Sequence, residues 1–285
     1  MTDGDNTVKH IDAYAGPDVE SNSPMHEYGK TWPFEDKATG NPVSYQWVPG
    51  THKFFGWLAK DAYSTPAMTA EGFFGKAPEL LIDPSLDDII GFKIPEKAMT
   101  KDTPQFDFMY SNIYTTEPIN TPVPLEFSHL FSAFYITGLN RDDANQVRVK
   151  EITLSGLDGT KSAEINFEGE ETAVTYNDAK GSTSFSFTYT GELLSTTEKT
   201  LSDKYLIWPQ TADDFADATL FIKYDYTSDD QTTEQERTIP LNSITEWKAG
   251  VVNSIDIVID VDQITFYINS LEEWNTEEKD IFVEM

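Results

Sequence analysis

The chain has 285 residues, 39% of them hydrophobic, 13% aromatic and 24% charged, which is globular composition rather than that of a disordered segment. Asp and Glu outnumber Lys and Arg by 49 to 20, a net charge of −29; so acidic a surface repels phosphate, which excludes nucleic-acid binding or anionic-membrane attachment through a basic face. There is no cysteine, hence no disulfide, thiolate metal site or cysteine nucleophile.

Met1-Thr2-Asp3-Gly4-Asp5-Asn6 is polar and acidic and lacks the basic and apolar regions of an export signal. The sequence therefore reads as a cytosolic protein or as a mature or trimmed form. Ala13 to Thr31 is a long irregular stretch. Helical signals are few: Glu79 to Ile82 is stopped by Pro84, and Ser85 to Ile90 has room for a turn or two with Ser85 as the cap. Val123, Leu125 and Phe127 begin a strand in which Pro122 and Pro124 remove ladder donors, so its opening belongs at a sheet edge or entry. Leu130 to Leu139, the longest nearly apolar stretch, spans about ten residues where a membrane helix needs about 20.

Beyond it the period is two. Ile165 and Phe167 mark a short strand, and Phe185, Phe187 and Tyr189 alternate with Ser and Thr. Leu220, Phe221, Ile222, Lys223, Tyr224, Asp225 and Tyr226 place 220, 222, 224 and 226 on one apolar face. In Val251 to Val261, Ile255, Ile257, Ile259 and Val261 oppose Asp256 and Asp260, the pattern of an antiparallel strand with one face in water. Asp262-Gln263 then turns into Ile264, Phe266 and Ile268, a hairpin. Turn clusters at Asn140 to Asp143, Asp158-Gly159, Asn177 to Gly181 and Ser228 to Asp230 punctuate these strands and predict a sandwich or barrel. The polar, proline-marked segment Thr115 to Pro122 reads as a linker. It divides the chain into domains at 1–121 and 122–285, of about 120 and 165 residues, each long enough to bury a core.

Catalytic signatures are absent. His10, His26, His52 and His129 are too scattered for a local zinc site, and His129 reads as a packed histidine with a hydrogen-bond partner. Lys180-Gly181-Ser182-Thr183 lacks the upstream glycine of a phosphate loop, and Leu154-Ser155-Gly156 lacks the leading glycine of a nucleophile elbow. Asp260-Val261-Asp262-Gln263 lacks the glycine and terminal Glu of a calcium loop, while Asp142-Asp143 and Asp229-Asp230 read as turn acids. Carboxylates are too abundant for a glycosidase pair to be excluded by counting, but none can be named. Trp32, Trp47, Trp57, Trp208, Trp247 and Trp274 have the chemistry to stack on sugars, although sandwich tryptophans are more often buried. No catalytic, cofactor-binding or metal-binding residue is assigned.

Several segments together resemble one family. Val123-Pro124-Leu125-Glu126-Phe127-Ser128-His129-Leu130-Phe131-Ser132-Ala133-Phe134, preceded by Phe106 to Ser111, is similar to a strand pair of Bacteroidales fimbrillins, the type V pilin superfamily. Tyr205 to Gln210, with its Pro209-Gln210, and Leu220 to Tyr226 match the strands that follow. Ile239-Pro240-Leu241 with Trp247-Lys248-Ala249-Gly250, then Ile264 to Ile268 with Trp274, match the closing signature; Tyr45 to Gly50 and Phe54 to Trp57 resemble an earlier one. The order of these matches over residues 45–274 carries the resemblance, and residues 58–105 hold almost no marker.

The resemblance implies an all-β chain of two transthyretin-like, Greek-key antiparallel β-sandwich domains in tandem. It also implies a structural subunit or a tip or accessory adhesin of a surface fimbria, exported as a lipoprotein to the outer membrane, with no enzymatic activity and no cofactor. The implied partners are other fimbrial subunits and a host or bacterial surface glycan or protein. Assembly would follow removal of an N-terminal strand after Arg or Lys. No lipobox cysteine is present, which fits a form trimmed of its leader, and no Arg precedes Arg141, so a cut site in the N-terminal region uses Lys9 or Lys30 or was already removed. A sandwich short of one strand exposes unpaired N–H and C=O groups beside an apolar groove, which another subunit's strand can fill. The candidate donor is Ile281, Phe282 and Val283, where 281 and 283 share a face; the alternative is an ordinary last strand. A stand-alone cell-surface carbohydrate-binding module is the alternative function.

Overall fold

A computed structural model describes residues 52–61, 70–85, 88–104, 106–117, 123–142, 144–178, 181–260, 264–273 and 281–283. Lys9, Lys30, the stretch Ala13 to Thr31, and Trp32, Trp47 and Trp274 lie outside them. The first strands are β1 (His52–Phe54) and β2 (Trp57–Asp61), followed by the helix α1 (Ala70–Phe74), then β3 (Glu79–Asp83), β4 (Asp88–Ala98), β5 (Phe106–Ser111) and β6 (Tyr114–Thr116). Next come β7 (Val123–Leu125), β8 (Phe127–His129), β9 (Ser132–Asn140), β10 (Gln146–Asp158), β11 (Thr160–Asn166), β12 (Ala173–Asp178) and β13 (Ser182–Leu194). The rest are β14 (Lys199–Thr200), β15 (Tyr205–Ile207), β16 (Gln210–Thr211), β17 (Thr219–Ser228), β18 (Gln231–Pro240), β19 (Glu246–Trp247), β20 (Val251–Ile259), β21 (Ile264–Glu273) and β22 (Ile281–Val283). The described fold is nearly all β, as the alternation predicts.

Two sheets enclose the first core. One has the order β13-β10-β17-β18; the other runs β14-β9-β20-β21, with β15 also on β9. Between them lie the residues that the period of two points inward: Ile152, Leu154, Phe185, Leu220, Ile222, Ile255 and Ile257, each with no exposed surface. Each such side chain contributes about 1.5–3 kcal/mol by leaving water. Trp247 stacks on Phe134 at 5.6 Å between ring centroids and meets Phe215 edge-on at 5.1 Å.

A second core gathers Phe73, Phe106, Phe108, Phe131, Ile94, Ile165 and Trp208. Its walls are the sheets β12-β11-β4-β3 and β2-β5-β8. The division placed at 121/122 falls among residues that are not described. The hairpin β11–β12, from beyond it, pairs with β4 in the register Ala163↔Ile94 and Ile165↔Phe92. The chain passes from one core to the other at Asp158-Gly159, the turn its sequence marks. There the Gly159 N–H donates to Gly181 O and the Met99 N–H to Gly159 O, both at 2.8 Å. At Gly91, opposite Asn166, a side chain would fall on the Ile165 carbonyl, so the close approach of β4 to β11 requires glycine.

Two expectations need correction. Residues 79–83 and 88–98 are the antiparallel pair β3–β4, not helix, and Ser85 lies in the connecting turn, donating from N–H and Oγ to Asp83 Oδ1 at 2.7 Å. The run Leu80-Leu81-Ile82 is too short to show a period, and cross-strand pairing decides its state. The helix is at 70–74 instead, where Phe73 and Phe74 are buried and the Lys97 ammonium holds Phe73 O at 2.6 Å. The second correction concerns β20. It pairs in parallel with β9 on one side and antiparallel with β21 on the other, and its Asn253 and Ser254 are buried, so neither face is open to water as the alternation had implied.

Candidate assembly site

The strand-exchange reading turns on backbone edges. Ile281, Phe282 and Val283 form β22, which lies antiparallel to β7 with Ile281↔Leu125, Phe282↔Pro124 and Val283↔Val123 as partners. Among the described residues, β7 and β22 make a two-stranded sheet separate from the others. Residues of an antiparallel pair alternate between hydrogen-bonded and non-hydrogen-bonded positions. Pro124 has no N–H and can occupy only the second kind, so the hydrogen-bonded positions fall on Val123 and Leu125. The proline nitrogen therefore faces the opposite edge of β7. Pro124 thus stands at a sheet edge or entry, as the sequence expects of this strand's opening.

The long edge strand β18 is built differently. Eight of its ten residues are exposed, all but Gln235 and Ile239. Asp229 and Asp230, at φ 49° and 59°, close the β17–β18 hairpin between Ser228 and Gln231, the backbone of a type I′ turn. On this sheet's solvent face, Lys150 reaches Asp225 at 2.7 Å and Glu234 at 3.0 Å, and Lys223 reaches Glu234 at 2.6 Å and Glu236 at 2.9 Å. The hydrogen bonds from Lys223, then Lys150, hold the Glu234 carboxyl below its usual range. Glu234 with Glu236 raises Lys223, and Asp225 with Glu234 raises Lys150. Charges along an edge discourage casual pairing with another chain. In the adjoining turn the Asn145 side-chain amide, followed by the Ala144 N–H and the Tyr226 hydroxyl, holds Asp142 low.

Buried polar groups tie the two cores together. Lys161 on β11 and Asp214 pair at 2.9 Å with side chains 2% and 9% exposed, and Asp214 Oδ2 also accepts from Thr211 N–H at 2.6 Å and Thr211 Oγ at 3.0 Å. The Trp208 indole N–H donates to Lys97 O at 2.7 Å while its ring meets Phe131 at 4.8 Å. Gln210, buried, donates through Nε2 to Asp158 O at 2.8 Å and accepts the Asp158 N–H at 3.1 Å, holding the crossover turn; this is what the Pro209-Gln210 motif does. Asn253 Nδ2 donates to Ser132 Oγ and Ala133 O, both at 3.1 Å, binding β20 to β9. Lys53 caps the carbonyls of Phe167, Glu168 and Gly169, while Phe55 stacks on Phe167 at 4.4 Å. Burial raises the Tyr176 phenol far above its usual pKa; its hydroxyl donates to Leu130 O at 3.0 Å.

His129, the packed histidine of the sequence reading, sits buried on β8 with Nδ1 2.8 Å from Asp107 Oδ2. The register Met109↔His129 puts Asp107 on the same sheet face, two residues along β5. Among the described residues no three His, Asp or Glu side chains converge to hold a metal ion, and no helix is long and apolar enough to cross a membrane. Trp208 and Trp247 are buried, and Trp57, 38% exposed, stacks on Phe108 at 5.2 Å.

Together these features define a class: an all-β protein of packed sheets whose buried polar clusters tie strands to one another. The chain belongs to the fimbrillin-like family, whose sequence profile matches residues 4–274. Among solved structures it is similar to a fimbrial protein from Bacteroides vulgatus, at 14% identity, with 78% of this chain and 77% of that one covered and a TM-score of 0.45. It is also similar to a fimbrial assembly protein from Parabacteroides distasonis, at 10% identity, with 81% and 72% covered and a TM-score of 0.35. No curated protein matches the sequence.

Proposed function

We propose that this protein is a structural subunit, or a tip or accessory adhesin, of a cell-surface fimbria. It is exported, and it assembles by exchanging strands with copies or close relatives once an N-terminal strand is removed after Lys9 or Lys30. Its work is backbone pairing rather than catalysis, in partnership with other fimbrial subunits. Membership of the fimbrillin-like family over nearly the whole chain is the observation that carries this reading. The physical support is a body of packed sheets, in which a lost strand opens both an apolar groove and a row of unpaired amides. On this reading the two cores belong to two transthyretin-like sandwiches in tandem. A glycan-binding role gains little from the described tryptophans, two of which are buried.

Limited trypsin treatment tests the reading. The expected product begins at His10 or Thr31 and converts, over time, into oligomer ladders that resist mild SDS. A trimmed chain that stays monomeric at high concentration contradicts assembly by strand exchange between copies.

A further inference from the structure

We propose that the turn at 99–104, through Lys101, guards β13 and keeps β13 of a second copy from pairing alongside it. The sheet β13-β10-β17-β18 has two outer strands, and they are built in opposite ways. β18 carries Glu234, Glu236 and Arg237. The run Ser182 to Thr190 on β13 reads Ser-Thr-Ser-Phe-Ser-Phe-Thr-Tyr-Thr, without charge, proline or glycine. Uncharged strands of Ser, Thr and aromatic residues are the segments that pair with their own copies when an edge lies open. The register with β10 is continuous from Glu151↔Thr188 to Ser155↔Ser184, and among the described residues no strand lies on the other side of β13. A net charge of −29 opposes association in general, but this run adds nothing to that repulsion.

The protection comes from the other core. Where the chain leaves β4, Met99 is fully buried and donates its N–H to Gly159 O at 2.8 Å. The Thr183 hydroxyl on β13 donates to Met99 O at 2.7 Å, which fixes the root of the turn beside the strand. The turn is also closed on itself: the Thr100 N–H donates to Thr103 Oγ1 at 2.8 Å, and the Thr103 N–H to Thr100 O at 3.0 Å. From this fixed base Lys101 reaches the middle of the uncharged run. Its ammonium donates to Ser186 O at 3.0 Å and stands 5.2 Å from the centroid of the Phe187 ring. A strand laid along β13 would have to displace that ammonium or bury its charge, which is how lysines blunt exposed edges. The charge that β13 lacks in its own sequence is thus supplied by a residue more than eighty positions away.

The test uses the untrimmed chain, which separates it from any assembly that follows proteolysis. Lys101 is exposed, so Lys101→Ala should melt close to the parent. Sedimentation over a range of concentrations is expected to show self-association of Lys101→Ala at least about tenfold tighter than that of the parent. The double variant Lys101→Ala with Ser186→Lys returns an ammonium to the same strand and should restore the parent's behaviour. Hydrogen exchange locates the contact: in the associated Lys101→Ala chain, protection should rise across residues 184–188 and stay unchanged in β18. Lys101→Ala that associates no more tightly than the parent overturns the guard. Association that Ser186→Lys fails to reverse, or that protects β18 instead, overturns the assignment to β13.

Discussion

Replacing Asp214 with alanine is expected to lower the unfolding free energy by about 3–5 kcal/mol, the usual cost of removing one member of a buried ion pair. Lys161 is held with its side chain 2% exposed, where an ammonium is tolerated because a carboxylate stands 2.9 Å away. Asp214 in turn is fixed by the Thr211 amide and hydroxyl, so its removal also loosens the turn that follows β16. The desolvation of the ammonium dominates, and the double variant Lys161→Met with Asp214→Leu checks this. With both charges gone, stability should return to near that of the parent or exceed it. Urea unfolding read by tryptophan fluorescence measures both. A loss below about 1 kcal/mol for Asp214→Ala would show that the pair is hydrated in solution.

Trp208→Ala is expected to cost a similar amount, about 3–5 kcal/mol, through the cavity left by a fully buried indole. Trp208 follows β15, a strand of the first core's sheet, yet its ring lies in the second core against Phe131 and Tyr176 and its N–H holds the Lys97 carbonyl on β4. The damage should therefore appear on the far side of the junction. Hydrogen exchange should show protection lost in β4 and β11 before β10 and β17. Trp208→Phe keeps most of the volume but leaves the buried carbonyl without its donor, which should cost about 1–3 kcal/mol. Equal loss of protection in all four strands would mean that the two cores unfold as one unit.

The strands that face one core were legible because burial on a single side imposes a period of two: Leu220, Ile222 and Tyr224 are inward as read, and Asp229-Asp230 turns where its residue types allow positive φ. Pro124 announced an edge or entry because a missing donor has few places to go. β20 was only half legible. Alternation shows a strand but not its direction, so nothing in Val251 to Ile259 distinguishes a parallel from an antiparallel neighbour, and the burial of Asn253 is satisfied by Ser132 and Ala133, more than a hundred residues away. Lys161 could not be picked out for the same reason: among so many charged residues, a buried one differs only through Asp214, which is remote in sequence. The motif Pro209-Gln210 was visible, but that its amide clasps Asp158 across the crossover turn emerged only from the fold. The strands β3 and β4 were missed where a short apolar run beside a proline fits helix and strand alike.

Removing residues 274–285, which carry the candidate donor Ile281, Phe282 and Val283, gives the most direct test of the proposed assembly by strand exchange. Trimmed with trypsin, this tail-less chain should remain folded and monomeric, and, added to the intact trimmed chain, it should shorten the ladders by accepting a strand while donating none. Ladders of undiminished length built from the tail-less chain alone would contradict the account.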